Sequence, residues 1–125
     1  MKDQLFNLND LLQPEEIKLI ELSLHLVAVD QIIEEWEFPA LMGVDMTDVV
    51  EARKALPNGL EVSSMTLSCA YHCMNNICLG PEYIAEQAID KSKVDIDALL
   101  VLKEKVSRIL GNNLLFGWHR PTDSK

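Results

Sequence analysis

Several features that would assign this chain of 125 residues to a familiar class are absent from it. It has only three cysteines, all between Cys69 and Cys78, so a disulfide framework spanning the chain is excluded. No stretch approaches the ~18 consecutive apolar residues that a membrane-crossing helix requires. The first residues also lack the basic region and apolar core of a signal peptide. We therefore expect a cytoplasmic protein whose thiols are reduced.

Basic residues are also scarce. Against 20 Asp and Glu there are 11 Lys and Arg, which gives a net charge of −9. Residues 1–62 hold 13 acidic and 4 basic side chains, whereas residues 63–125 hold seven of each. The first half would be repelled by nucleic acid and anionic membranes and attracted to a basic protein surface. A solvated surface without any partner would have the same charge.

Apolar residues, in contrast, are plentiful at 48%, enough for one core without a metal or disulfides. The segment from Ser63 to Leu79 begins with capping hydroxyl groups and ends before Gly80-Pro81. It is apolar around most of its circumference, which is typical of a buried, central helix. We therefore interpret it as the core helix around which the other elements pack.

The remaining helix signals predict an all-α fold, a compact bundle of four main helices with two shorter segments. Residues 1–13 are expected to form an irregular arm or a short helix, and residues 119–125 a disordered tail. Residues 22–29 alternate partly like a strand, but the Pro14 start and the length favour a helix. The expected helices after the lead-in are Pro14 to about Glu35, Asp48–Leu56, Ser63–Leu79, Pro81–Asp90 and Asp95–Leu110.

The two halves of the chain resemble each other weakly. A shift of 45 residues places Leu22-Ser23 on Leu67-Ser68 and Glu37-Phe38 on Glu82-Tyr83. The order of a long helix, a short aromatic-led segment and a shorter helix then occurs twice. The pattern predicts one domain of 125 residues built from two helical hairpins, residues 15–56 and 63–110, about a pseudo-twofold axis.

One acidic segment contains large aromatic residues. Aromatic anchors surrounded by charge are typical of protein-binding hot spots. In the alternative interpretation the aromatic residues face the core and the acids form a solvated rim. We expect Phe38 to be buried, and the sequence does not decide for Trp36. The candidate partner-binding residues are Glu34, Glu35, Trp36, Glu37, Asp45, Asp48 and Glu51.

A second candidate site lies on the central helix. Cys69, His72 and Cys73 are spaced so that their side chains share one face, and thiolate and imidazole are ligands for zinc or copper(I). His25 or His119 could complete a tetrahedral site only through folding. The alternative is that the cysteines pack as small apolar side chains. A cysteine nucleophile activated by His72 is disfavoured because no oxyanion-binding loop is recognisable.

Residues 39–54 resemble a helix-turn-helix, but acids near the start of its second helix would face phosphate groups. We therefore expect no binding to nucleic acid or membrane and no cofactor.

The favoured function is a non-enzymatic, acidic binding protein of the inhibitor, immunity or regulatory type with a basic protein partner. The metal- or thiol-dependent site is the alternative. A homodimer is a further option, since Phe116 and Trp118 make the C-terminal tail apolar.

Overall fold

The computed structural model describes residues 5–43, 45–56 and 61–111, with the side chains of Glu35 and Pro39 outside that description. This part of the chain is mostly helical, so the all-α prediction is confirmed. Its elements are β1 (Leu5–Asn7), α1 (Leu8–Leu11), α2 (Pro14–Ala28), a 3-10 turn (Glu35–Glu37), α3 (Phe38–Met42), α4 (Met46–Ala55), β2 (Glu61–Ser63), α5 (Ser64–Leu79), α6 (Glu82–Ser92) and α7 (Ile96–Leu110).

Helix α5 is the centre of the molecule, as predicted. The Ser63 hydroxyl accepts the Thr66 N–H at 3.1 Å and fixes the start of the helix. Helices α2, α3, α4, α6 and α7 all pack against α5, and α2 also packs against α4. Because neighbours cover it on several sides, polar as well as apolar residues of α5 are buried. They are Ser64, Leu67, Ser68, Cys69, Ala70, His72, Cys73, Met74, Asn76 and Ile77.

The prediction that α2 runs to about Glu35 is wrong, because the helix ends at Ala28. Gln31 adopts a left-handed conformation with φ of 52°, and the Ile32 N–H donates to the Leu26 carbonyl at 3.3 Å. This reversal turns Ile32 and Ile33 into the core. The apolar pattern continues through the reversal, and no glycine or proline marks it in the sequence.

Near the N-terminus, where an irregular arm or a short helix was expected, the chain forms the short helix α1, and the first strand of a small antiparallel sheet precedes it. Strand β1 pairs with β2 so that Phe6 lies opposite Val62, and both side chains are buried. Each strand leads directly into a helix, with Asn7 capping α1. The amino-acid sequence does not predict this sheet, since three-residue strands carry almost no periodic signal.

The last two helices agree closely with the prediction. Lys93, with a left-handed φ of 59°, ends α6, and the Asp95 carboxylate accepts the Asp97 and Ala98 N–H groups at the start of α7. The sequence predicts a buried stripe on α7 made of Ile96, Leu99, Leu102, Val106 and Leu110; the last four are buried, and Ile96 is half-buried. None of the described helices is long and apolar enough to cross a bilayer. The predictions for Phe116, Trp118 and residues 119–125 lie outside the described residues.

Candidate functional site

The candidate site is centred on Trp36, whose side chain is 77% exposed. Ile33 precedes it and is buried, and Phe38 follows it and is only 4% exposed, as expected. The intervening 3-10 turn is closed by the Glu37 N–H, which donates to the Glu34 carbonyl at 3.0 Å. Two buried side chains therefore anchor a short turn that presents one large aromatic ring to solvent.

Tyr83 of α6 links both ends of this turn. Its hydroxyl accepts the Glu34 N–H at 3.1 Å and donates to Oε1 of Glu37. Burial raises the pKa of Tyr83 above its ordinary value, and the neighbouring Glu37 carboxylate adds to the increase. Tyr83 is not among the site residues predicted from the sequence. Its contacts lie 46 and 49 residues away, and the only hint was its match with Phe38 in the repeat.

Two further predicted acids, Asp45 and Asp48, lie at the start of α4, and Glu51 lies in its middle. The Asp48 carboxylate accepts the Asp45 N–H at 3.1 Å, which stabilises the first turn of the helix. Asp48 is therefore half-buried and structural, whereas Asp45 and Glu51 are exposed. The exposed members of the predicted set are Glu34, Trp36, Asp45 and Glu51, and the side chain of Glu35 lies outside the description.

A polar contact connects the last turn of α2 to the last turn of α4. Nε2 of His25 lies 3.7 Å from Oδ2 of Asp30, and Nδ1 of His25 lies 3.5 Å from Nη2 of Arg53. Asp30 and Arg53, an acid and a base of the acidic half, therefore both contact His25 within the molecule. The charge offered to solvent on this half is carried by other acidic side chains, including Glu34 and Glu51.

The three residues of the second candidate site, Cys69, His72 and Cys73, are all buried in α5. Burial raises the pKa of Cys69 to about 12, with a further contribution from the negative charge of Asp48. Burial also raises the pKa of Cys73 well above its ordinary value. Thiols in this state are poor nucleophiles and poor metal ligands. Within the part of the chain that the structure describes, no group of three His, Cys, Asp or Glu side chains is arranged to hold a metal ion.

Lys103 is a feature that sequence reasoning missed. It occupies a position in the apolar stripe of α7 and is 3% exposed. Its ammonium lies 2.8 Å from Oε2 of Glu104 and 5.5 Å from the centre of the Tyr71 ring on α5. This lysine therefore joins α7 to α5 through a cation–π contact with Tyr71, while its ion pair with Glu104 lies within α7.

The arrangement of these residues does not by itself indicate an enzymatic reaction, and comparison with known proteins does not indicate one either. The chain shows no significant match to protein-family models, to curated proteins or to solved structures.

Proposed function

We propose that this protein is a non-enzymatic binding protein whose Trp36 turn and neighbouring acids contact a basic protein partner. The observation that carries the proposal is the 77% exposure of Trp36 on a turn whose flanking residues are buried. Tryptophan is the residue type most enriched in binding hot spots, where it fills a pocket of the partner. An isolated exposed leucine or valine would need no such explanation.

The charge around the turn defines the chemistry of the partner. Glu34 is exposed two residues before Trp36, Asp45 is exposed at the N-cap of α4, and Glu51 is exposed within α4. The net charge of −9 belongs to the half of the chain that contains these residues. Lysine and arginine side chains on a partner would be steered toward this half and would also interact favourably with the indole face.

The proposal includes a repeated architecture, in which two related hairpins place this turn between them. Asp45 and Asp95, which match when five extra residues are allowed around Lys91 in the second half, both cap helices. Tyr83 and Glu37, from the two matched aromatic-led segments, contact each other directly. The packing departs from twofold symmetry, since α4 packs extensively against α5 whereas α2 and α7 make few contacts. In addition, residues 30–33 lie in a loop while their matches at 75–78 belong to α5.

A capture experiment with a matched control tests the binding proposal. The wild-type protein, Trp36→Ala and Val101→Ala would each be isolated gently from the native cells and weighed by native mass spectrometry. Val101 is an exposed apolar residue on α7, 68% accessible, so it controls for general loss of surface hydrophobicity. We expect the wild type and Val101→Ala to carry one copy of the same basic protein.

Loss of the indole should weaken this complex by about 2 kcal/mol, roughly 30-fold, as is common for a hot-spot tryptophan. Once the partner is known, changing Glu34, Asp45 and Glu51 together to Lys should slow association and reduce its salt dependence. Equal capture by Trp36→Ala would contradict the proposal. A mass of two copies of this chain would instead identify a homodimer.

A further inference from the structure

The contacts of Tyr83 extend beyond simple packing of α6. Its hydroxyl contacts the backbone of Glu34 on one side of Trp36 and the side chain of Glu37 on the other. Residues 29–34 follow the end of α2 and belong to no helix or strand. A single oxygen atom of α6 thus connects the two residues that define the Trp36 turn.

We propose that Tyr83 is a positioning residue that holds the Trp36 turn in its binding conformation and releases it when the phenol loses its proton. The inference rests on the proposed binding function of Trp36, but its test requires no partner. In this role Tyr83 acts as a latch between α6 and the turn.

The latch depends on the phenol being neutral. The hydroxyl donates its one proton to the Glu37 carboxylate and accepts a hydrogen bond from the Glu34 N–H. A phenolate can still accept, but it has no proton to donate. Two negative charges would then face each other across the former hydrogen bond, with the Glu34 carboxylate as a third.

The two hydrogen bonds of the Tyr83 hydroxyl also explain how the Trp36 turn can keep one conformation although its indole ring is exposed. Binding is favoured when the contacting side chain is already held in its bound position, because less conformational freedom is lost on association. Ile33 and Phe38 fix the ends of the segment through burial. Tyr83 fixes the part between them, where the backbone is accessible to water.

The latch can be tested by the environment of Trp36 as a function of pH. The chain has two tryptophans, so Trp118→Phe leaves Trp36 as the only indole reporter. In this background, the fluorescence anisotropy of Trp36 and the exchange rate of the Glu34 amide proton would be measured from pH 7 upward. Circular dichroism would follow the helices, so that global alkaline unfolding is recognised separately.

Four variants separate the latch from ordinary packing. Tyr83→Phe should raise Glu34 amide exchange at least tenfold at neutral pH and abolish the alkaline change in Trp36 anisotropy. Tyr71→Phe removes the other of the two tyrosines and should leave both signals as in wild type. Glu37→Gln keeps an acceptor but removes the charge, so the alkaline change should occur at lower pH. Glu37→Ala removes the acceptor and should increase the mobility of Trp36 at neutral pH.

An unchanged Glu34 exchange rate and alkaline profile in Tyr83→Phe would overturn the inference. If Tyr83→Phe fails to fold, the shift of the profile in Glu37→Gln decides the question, and an unshifted profile refutes the latch. The outcome is distinguishable from that of the capture experiment. If Trp36→Ala loses the partner but Tyr83→Phe leaves Glu34 exchange and the alkaline profile unchanged, only the role of Tyr83 is rejected. If Tyr83→Phe changes both signals as expected but Trp36→Ala still captures the partner normally, only the binding role of the turn is rejected.

Discussion

At the scale of single residues, Asn76 shows how one buried amide can fix a tertiary contact. Its Nδ2 group donates to the Leu41 carbonyl of α3 and to the His72 carbonyl of α5, both at 2.9 Å. Both amide protons are therefore used. Leu41 lies in the last turn of α3, where a carbonyl has no partner within the helix. Asn76 supplies that partner from α5.

Replacing Asn76 tests this role. Asn76→Ala should lower the free energy of unfolding by about 2 kcal/mol, because the partly buried Leu41 carbonyl loses its donor and the buried amide contacts are removed. Asn76→Asp should cost more, about 3 kcal/mol or above at neutral pH, since a buried carboxylate would face two carbonyl oxygens. Urea denaturation would measure both values. A smaller loss for Asp than for Ala would show that the amide protons are not required.

At the scale of elements, an ion pair joins helices α2 and α7, which otherwise make few contacts. Nζ of Lys105 lies 3.0 and 3.2 Å from the two carboxylate oxygens of Glu16. Oε1 of Glu16 also accepts the Gln13 N–H at 2.8 Å at the start of α2. The Gln13 N–H and then Lys105 lower the pKa of Glu16, against the opposing effect of burial.

This lowered pKa predicts a pH-dependent contribution to stability. A carboxyl group with a lower pKa in the folded state stabilises the protein above its unfolded pKa, and the contribution disappears as pH falls through the folded value. Glu16→Gln should therefore reduce the free energy of unfolding by about 1 kcal/mol at pH 7. The difference from wild type should shrink below about pH 4. Thermal denaturation at several pH values measures it, and a difference that stays constant with pH would contradict the assignment.

At the scale of the whole molecule, the central position of α5 determines how accessible the thiols are. Cys69 and Cys73 face the interior, whereas Cys78, near the end of the helix, is half-buried. Reagents reach buried thiols only when the surrounding helices open. Since α5 contacts most of the other helices, we expect this opening to coincide with global unfolding.

Thiol labelling therefore reports on the cooperativity of the fold. With a disulfide exchange reagent at neutral pH, Cys78 should react from the native state, and Cys69 and Cys73 should react at the rate of global unfolding. Burial raises the pKa of Cys78 as well, so its reaction should still be slower than that of a free thiol. Mass spectrometry of labelled protein measures all three. Rapid labelling of Cys73, or its protection by added zinc, would restore the thiol site as a functional candidate.

The sequence was sufficient for the elements whose signals are local and strong. Two signals predicted the position and the burial of α5. They are the capping hydroxyl group of Ser63 and the apolar residues around most of the circumference of residues 63–79. Asp95 and the apolar stripe that begins at Ile96 located α7 in the same way. The end of α2 was missed because Gln31 adopts a left-handed conformation without the glycine that commonly marks one. The β1–β2 sheet was missed because its strands are stabilised by pairing across the sequence rather than by their own composition.

For the candidate site, the sequence identified residue types but not their environments. It identified Trp36 as a candidate but could not show that the side chain points outward, since that depends on where α2 ends. It treated Glu37 and Asp48 as partner contacts, although the structure engages them with Tyr83 and Asp45. Such contacts between distant or capping residues become visible only when the chain is folded.

The small sheet also has a kinetic consequence. Pairing Phe6 with Val62 closes a loop of about 55 residues that contains helices α1 to α4. The entropy lost in closing such a loop is on the order of 3 to 4 kcal/mol, and six short-strand residues recover little of it alone. We therefore expect the pairing to become favourable only after α2 and α4 have docked on α5, because this docking brings the two ends of the loop together. The sheet should then form after these helices have docked and should stabilise a helical core that is already assembled.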